Sequence, residues 1–333
     1  MTAAPTNLLT DVAGIRVGHA GDDKLASGVT AIMFDQPTVA AIDVRGGGPG
    51  TRETDMLDPA MTVPTIDAIT LSGGSAFGLD AAAGVQAWLR EQGRGYAVRT
   101  ARVPIVPGAI LFDLLNGGDK EWGRYPPYRE LGYEAAHAAG DTFSLGSIGA
   151  GLGATTVNFK GGIGSASTSV DGITVAALAA ANAAGSVVIG DGPHFWSAPF
   201  EVGREFGGRG LPAAMPPAAL TTRTKGSVMT STTLVVVATD AVLTKAQARR
   251  FAVMAQDGVA RAIFPVHTPL DGDIVFAAAT GARPLADPIF GLTQLGAAAT
   301  SVVARAIARG VYEARSLAIS TSLPCYRDSF GGE

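Results

Sequence analysis

A chain of 333 residues with 47% hydrophobic and 16% charged side chains can bury a large core and is too apolar to be disordered. Its net charge of −4 gives no electrostatic reason to expect nucleic acid or an anionic membrane as partner. Cys325 is the single cysteine, which excludes an intrachain disulfide, and no run of about 18 apolar residues suggests a membrane span. The opening MTAAPTNLLTDVAG has no basic segment followed by a hydrophobic one, so a cytoplasmic location is expected.

In chain order, Val29–Phe34 and Val39–Val44 read as strands, the second ending in Arg45-Gly-Gly-Gly-Pro-Gly. Ile66–Leu71 is a third strand, followed by Ser72-Gly-Gly-Ser-Ala-Phe-Gly and a helix of about fifteen residues ending near Gln92. Val103–Leu115 predicts a short strand or loop and then a helical turn, and Leu131–Ala139 a helix. After the glycine-rich loop Gly146–Gly153, the segments Thr155–Lys160, Ile163–Thr168, Ile173–Leu178 and Ser186–Ile189 have the rhythm of antiparallel strands. Residues 191–230 carry five prolines and little periodicity and read as a linker.

At its end, Thr230, Ser231, Thr232 and Thr233 lead into the β-branched run Leu234–Ala238, a buried strand. Thr244 caps a helix through about Ile263, with Phe251, Met254, Ala255, Val259 and Ala262 on one face. Asp271-Gly-Asp273 leads into strand Ile274–Ala279, and Asp287-Pro288 opens a long last helix. Strands apolar on both faces need helices outside them. The expected fold is therefore a single α/β domain over 1–333, an αββα layered sandwich with mixed sheets.

The junction at residues 230–233 is crowded with hydroxyls. A threonine hydroxyl is a weak nucleophile until a base takes its proton, and the threonine's own α-amine serves if the residue is N-terminal. Such an amine has a pKa of about 7.7–8.0, close to neutral pH. A hydroxyl attack on the preceding carbonyl would create that terminus by an N→O acyl shift. Spacing does not choose among the four hydroxyl residues, and each also suits a strand.

Asp271 and Asp273 point the same way in extended chain, so they could orient a hydroxyl and an ammonium, hold a divalent cation, or form part of a polar turn. Lys160, at the end of an apolar run, is a candidate for steadying a developing oxyanion, and Asn182 sits among alanines as an amide that must be paired. Gly73-Gly-Ser75-Ala-Phe77 lacks the last glycine of a nucleophile elbow, and no phosphate-binding P-loop occurs. His19, His137, His194 and His267 show no metal-pair spacing, so neither a metal nor a cofactor is expected.

Taken together, Thr10-Asp-Val-Ala-Gly-Ile-Arg-Val-Gly-His19, Asp43-Val-Arg-Gly-Gly-Gly48, Leu71-Ser-Gly-Gly-Ser-Ala-Phe-Gly-Leu-Asp80, Val103-Pro-Ile-Val-Pro107, Lys160-Gly-Gly-Ile-Gly164, Ser231–Asp240 and Asp271-Gly-Asp273 form a pattern. Through it nearly the whole chain resembles the DmpA-like family of L-aminopeptidase/D-esterases and β-peptidyl aminopeptidases, with nylon-oligomer hydrolase as a relative. The resemblance implies a fold like that of N-terminal nucleophile hydrolases with different connectivity. It implies self-cleavage between Ser231 and Thr232, giving an α chain of 231 residues, whose tail is the 191–230 linker, and a β chain of 102. It further implies an amide hydrolase without cofactor, acting on small aminoacyl amides, short peptides or ω-amino-acid oligomers, and a homo-oligomer of αβ units. By position Thr232 is the nucleophile, Lys160 and Asn182 assist the oxyanion, and Asp271 and Asp273 orient the nucleophile. Ser231 stands where relatives often carry Asn or Gly, and Phe112 where the nylon-oligomer hydrolase has a tyrosine. An acyltransferase of the ornithine-acetyltransferase type and a non-catalytic ligand-binding protein are the alternative readings.

Overall fold

The computed structural model describes residues 5–225, 231–319 and 322–331. Thr230 and the end of the linker, 226–230, lie outside the described residues. The strands are β1 (Ile15–Asp22), β2 (Ser27–Val44), β3 (Thr51–Arg52), β4 (Ile66–Ser72), β5 (Tyr96–Val98), β6 (Ala101–Val103), β7 (Gly108–Ile110), β8 (Ile163–Val170), β9 (Ile173–Ala180), β10 (Leu234–Ala241) and β11 (Ile274–Arg283). The helices are α1 (Ala81–Glu91), α2 (Tyr128–His137), α3 (Lys245–Ala262), α4 (Phe290–Tyr312) and α5 (Tyr326–Phe330).

Strand β2 ties the sheets together. Its first half pairs with β1 and β4, and its second half, Val39–Val44, pairs antiparallel with β11. The two strands expected over 29–44 are thus one strand of 18 residues. Its β4 register breaks between Met33 and Thr38, where Asp35-Gln36-Pro37 is exposed. Pro37 has no N–H to give a ladder, which favours a break there. The continuous path runs β3-β7-β4-β2-β11-β10-β9-β8, and the β5–β6 hairpin stands apart.

Side-chain alternation along the strands assigns the layers. Val235 and Val237 of β10 face α3 and α4, while Leu234, Val236 and Ala238 face the opposite way, onto Ile32, Phe34, Ile69 and Leu71 of β2 and β4. On the outer side of that second sheet, Val29, Ala31, Met33 and Ala68 pack against Val85 and Leu89 of α1 and Leu131 and Ala135 of α2. The order is helices, sheet, sheet, helices, with mixed strand directions.

β10 is central. It pairs antiparallel with β9 (Leu234↔Ala180) and parallel with β11 (Leu234↔Ile274), and all eight of its residues are buried. Helix α3 starts where expected, because the Thr244 hydroxyl accepts the Gln247 N–H while the Gln247 side chain accepts the Thr244 N–H. Asp287 caps α4 through the N–H groups of Ile289 and Phe290, although the first helical residue is Phe290.

Two expected strands are absent among the described residues. Thr155–Lys160 folds back on itself, with the Thr156 hydroxyl accepting from Phe159 N–H and Thr155 bridging Lys160. Ser186–Ile189 makes only single bridges, to Phe264 and Phe195. Residues 191–225 contain one 3-10 turn, Ala198–Phe200, but they are not loose: Phe195 and Phe206 are core residues, and the Glu205 carboxylate pairs with the buried Arg305 of α4.

Candidate active site

The site forms where β10 begins, because three segments converge on residues 231–233. Ser231 N–H donates to the Leu270 carbonyl (3.1 Å), and the Ser231 carbonyl accepts from Gly272 N–H (2.7 Å). Thr232 N–H donates to the Asn182 carbonyl (2.9 Å), just beyond the end of β9. Thr233 N–H donates to Asp273 Oδ1 (2.8 Å). Each peptide around the Ser231–Thr232 bond is thereby fixed from outside its own strand.

The Asp271–Asp273 loop is held from behind by Gly46-Gly47-Gly48. Gly46 N–H donates to the Asp273 carbonyl (3.2 Å) and Gly48 N–H to the Asp271 carbonyl (2.7 Å). A Cβ on Gly46 would stand 2.5 Å from the Asp271 carbonyl oxygen, so the backbones could not approach this closely with any side chain there. Gly272 meets the same demand on the other side: a Cβ there would lie 2.5 Å from Thr232 Oγ1 and 2.8 Å from the Gly48 carbonyl oxygen. The glycine loop and the Asp-Gly-Asp turn are one device, and it presents the Gly272 N–H to the Ser231 carbonyl.

Both carboxylates are buried and engaged. Asp271 accepts from Thr268 N–H (2.8 Å) and Ala184 N–H (3.3 Å). Burial, joined by the charge of Asp273, pushes its carboxyl above the ordinary range. Asp273 accepts from Thr233 N–H on one oxygen and from His267 Nδ1 (3.0 Å) and N–H (3.2 Å) on the other. All four carboxylate oxygens thus take N–H donors, which suits orientation of the 231–233 backbone more than ligation of an ion.

Asn182 links this loop to the neighbouring cavity. Its Nδ2 donates to the Phe112 carbonyl (3.1 Å), and its Oδ1 accepts from Thr155 N–H (3.0 Å) and from Lys225 Nζ (3.1 Å). Lys160 is buried, with Nζ donating to the carbonyls of Leu152 (2.6 Å) and Ala154 (2.9 Å). Desolvation pushes its ammonium down to about 8, against the opposing pull of Cys325 and Asp113. Phe112, Asp113, Asn116, Thr155, Lys160 and Lys225 line a cavity of about 320 Å³ that Leu317, Ile319 and Leu323 close with apolar surface.

Thr232 is therefore bonded directly to Asn182, and Asp273 reaches the junction through Thr233 N–H. Ser231 is held by Leu270 and Gly272, Asp271 by Thr268 and Ala184, and Lys160 and Phe112 line the cavity beside them. Two participants escaped the sequence reading. The Gly272 N–H is a backbone group, for which Asp-Gly-Asp gave only a turn signal. Lys225, in the tail, carries no local signal; only the docking of residues 191–225 brings it to Asn182.

The sequence profile of Peptidase family S58 matches residues 7–322. The chain belongs to this peptidase family. An uncharacterized aminopeptidase of Mycobacterium tuberculosis is 46% identical over 98% of both chains. A 6-aminohexanoate-oligomer endohydrolase of a Kocuria species is 26% identical, over 81% of this chain and 74% of its own length. Among solved structures, the L-aminopeptidase D-Ala-esterase/amidase of Ochrobactrum anthropi, described as a variant of the Ntn hydrolase fold, superposes with a TM-score of 0.70 at 20% identity, covering 97% of this chain and 91% of that one. Membership of S58 makes this protein a hydrolase of amide bonds, and the layered sheets are those of an Ntn-type fold. No helix among the described residues is long and apolar enough to cross a membrane.

Proposed function

We propose that this S58 peptidase activates itself by cutting the Ser231–Thr232 bond and then hydrolyses small amides with Thr232 as an N-terminal nucleophile. One observation carries the reading: the Ser231 carbonyl accepts from Gly272 N–H while Thr232 Oγ1 packs against the same glycine. Attack of Oγ1 on the Ser231 carbonyl carbon would push negative charge onto an oxygen that already faces a fixed donor. The hydroxyl proton passes to the departing Thr232 nitrogen, leaving an ester. Water then cleaves the ester, giving the Ser231 carboxylate and a free Thr232 α-amine.

The new amine lies where the Asn182 carbonyl already accepts from Thr232 N–H. It takes the Oγ1 proton, and the hydroxyl oxygen attacks the substrate carbonyl. As the C–N bond breaks, the α-amine returns that proton to the leaving amine, and the acyl group stays on Thr232 Oγ1 as an ester. Water activated by the same amine hydrolyses the ester to release the acid. Asp273 and Asp271 hold the 231–233 backbone and the turn that faces it. Asn182 and backbone N–H groups stabilise the oxyanion, and Lys160 offers the cavity whatever donor its two carbonyl bonds leave over.

Small aminoacyl amides, short peptides with free N-termini and ω-amino-acid oligomers all fit this chemistry and the cavity size. We read the protein as a cytoplasmic homo-oligomer of αβ units. Denaturing mass spectrometry tests the core claim: wild type splits into chains of 231 and 102 residues, and Thr232→Ala stays whole. A wild-type chain that hydrolyses amides while intact would overturn it.

A further inference from the structure

Lys225 is six residues upstream of Ser231, on the segment that the proposed cut would separate from Thr232. Its side chain is turned inward. Nζ donates to Asn182 Oδ1 at 3.1 Å, on the residue whose backbone carbonyl takes Thr232 N–H. The same lysine lines the 320 Å³ cavity with Phe112, Thr155, Val157 and Lys160. A primary ammonium on a flexible aliphatic arm thus sits in a space whose lining joins apolar surface to the charged Asp113 and Lys160, with the Asn182 amide oxygen as its acceptor.

Lysine pays a large entropic and desolvation cost to be held this way, and solvent was available to it instead. Desolvation, joined by the charge of Lys160, pushes its ammonium down to about 7 against the attraction of Asp271 and Asp273. A tail residue held at such cost, at the residue that positions Thr232, calls for an explanation other than tail packing. Phe195, Phe206 and the Glu205–Arg305 pair already anchor the tail without it.

We propose that Lys225 is a tethered occupant of the amine-binding end of the cavity, holding the place of a substrate's primary ammonium in the uncut chain. This rests on the amide-hydrolase reading above and adds regulation to it: the uncut chain blocks its own amine site. In the uncut chain the arm competes with any free amine at an effective concentration that tethering makes high. Cutting at Ser231–Thr232 turns that arm into part of a free chain end, which a substrate amine can displace.

The test uses uncut protein throughout, so its outcome is independent of whether Thr232 cleaves or hydrolyses anything. In the Thr232→Ala background, n-pentylamine is titrated by calorimetry or protein NMR into chains carrying Lys225, Lys225→Ala or Lys225→Met, with 1-pentanol as the uncharged control. Thermal unfolding first establishes that each variant is folded, and Lys225→Ser replaces the alanine variant if that one is not. Lys225→Ala is expected to bind n-pentylamine at least tenfold more tightly than the lysine chain. Lys225→Met, which keeps an unbranched arm but has no ammonium to bond Asn182, is also expected to bind n-pentylamine more tightly than the lysine chain. Equal amine affinity with and without the arm overturns the proposal, as does pentanol binding as tightly as pentylamine.

Discussion

The backbone N–H of Gly272 and the carbonyl of Ser231 are paired at 2.7 Å across the start of β10. The pairing is built from both sides, since Gly272 has no room for a Cβ between Thr232 Oγ1 and the Gly48 carbonyl. Gly272→Ala must push one of these away. Overpacking of this kind costs roughly 1–3 kcal/mol, and one of the two atoms in its way is Thr232 Oγ1, the nucleophile proposed above. Chain splitting, followed by denaturing electrophoresis from fresh synthesis, is expected to slow at least tenfold while the circular dichroism spectrum is kept. Splitting at the wild-type rate would remove Gly272 from the mechanism.

Asp273 holds Thr233 N–H with one oxygen and His267 with the other. Asp273→Asn keeps the size but loses the charge-assisted acceptors, each worth roughly 1.5–3 kcal/mol. The rate of amide hydrolysis should fall at least tenfold, with His267→Ala falling less because Thr233 stays anchored. If His267→Ala is the more damaging of the two, Asp273 is secondary and the imidazole itself carries the role.

Lys160 should leave a mark on stability against pH. Its ammonium is pushed down to about 8 in the folded chain and titrates near 10.5 when unfolded. Between those values the unfolded chain holds the proton and the folded chain does not, so stability rises with pH across that window. Below about pH 8 the full penalty of the buried charge applies, on the order of 3 kcal/mol. Denaturant melts of wild type and Lys160→Met from pH 7 to 10.5 check this: the wild-type curve climbs relative to the variant. Parallel curves would show that Lys160 titrates normally.

Glu205 and Arg305 lie on opposite sides of the proposed cut, so their pair would hold the two resulting chains together. The guanidinium is fully buried and bidentate, with Nε to Oε1 at 2.6 Å and Nη2 to Oε2 at 2.9 Å. Burial raises the Glu205 carboxyl, but the hydrogen bonds and charge of Arg305 outweigh it and hold the carboxyl below its usual range. That contribution is present above the unfolded carboxylate's pKa and is lost as acid protonates the folded one. Glu205→Ala leaves a buried charge unpaired, which costs roughly 3–5 kcal/mol. A fall in melting temperature of several degrees is expected, together with separation of the two chains of the mature form at lower urea. An unchanged urea midpoint for separation would mean that the pair does not hold the chains together.

Much of this architecture could be read from local chemistry. The valine run of β10 and the Thr244–Gln247 cap of α3 depend on neighbours in sequence: β10 starts where expected and runs on three residues further, to Ala241, and α3 begins at its expected cap. The bend of β2 did not, because Asp35-Gln36-Pro37 looks like a turn and the pairing partner that keeps the strand going is the distant β11. Thr155–Lys160 has a strand's composition, but Thr156 satisfies Phe159 locally and no partner strand is added. In the site, side chains with chemistry were visible as residue types. The Gly272 N–H and the position of Lys225 were not, since one is backbone and the other is set by tertiary docking.

The placement of the Ser231–Thr232 bond at the mouth of the central strand has one more consequence. β10 keeps β9 on one side and β11 on the other whether or not that bond exists, so a nick there leaves the sheet complete. Folding is another matter. The intact chain brings β9 to β10 as a first-order search within one molecule. A nicked protein that has been unfolded must first find its other fragment, so its recovery becomes second-order and depends on dilution. With the proposed cut, the same sequence would make its fold once as a monomolecular event and afterwards keep it by the height of the unfolding barrier.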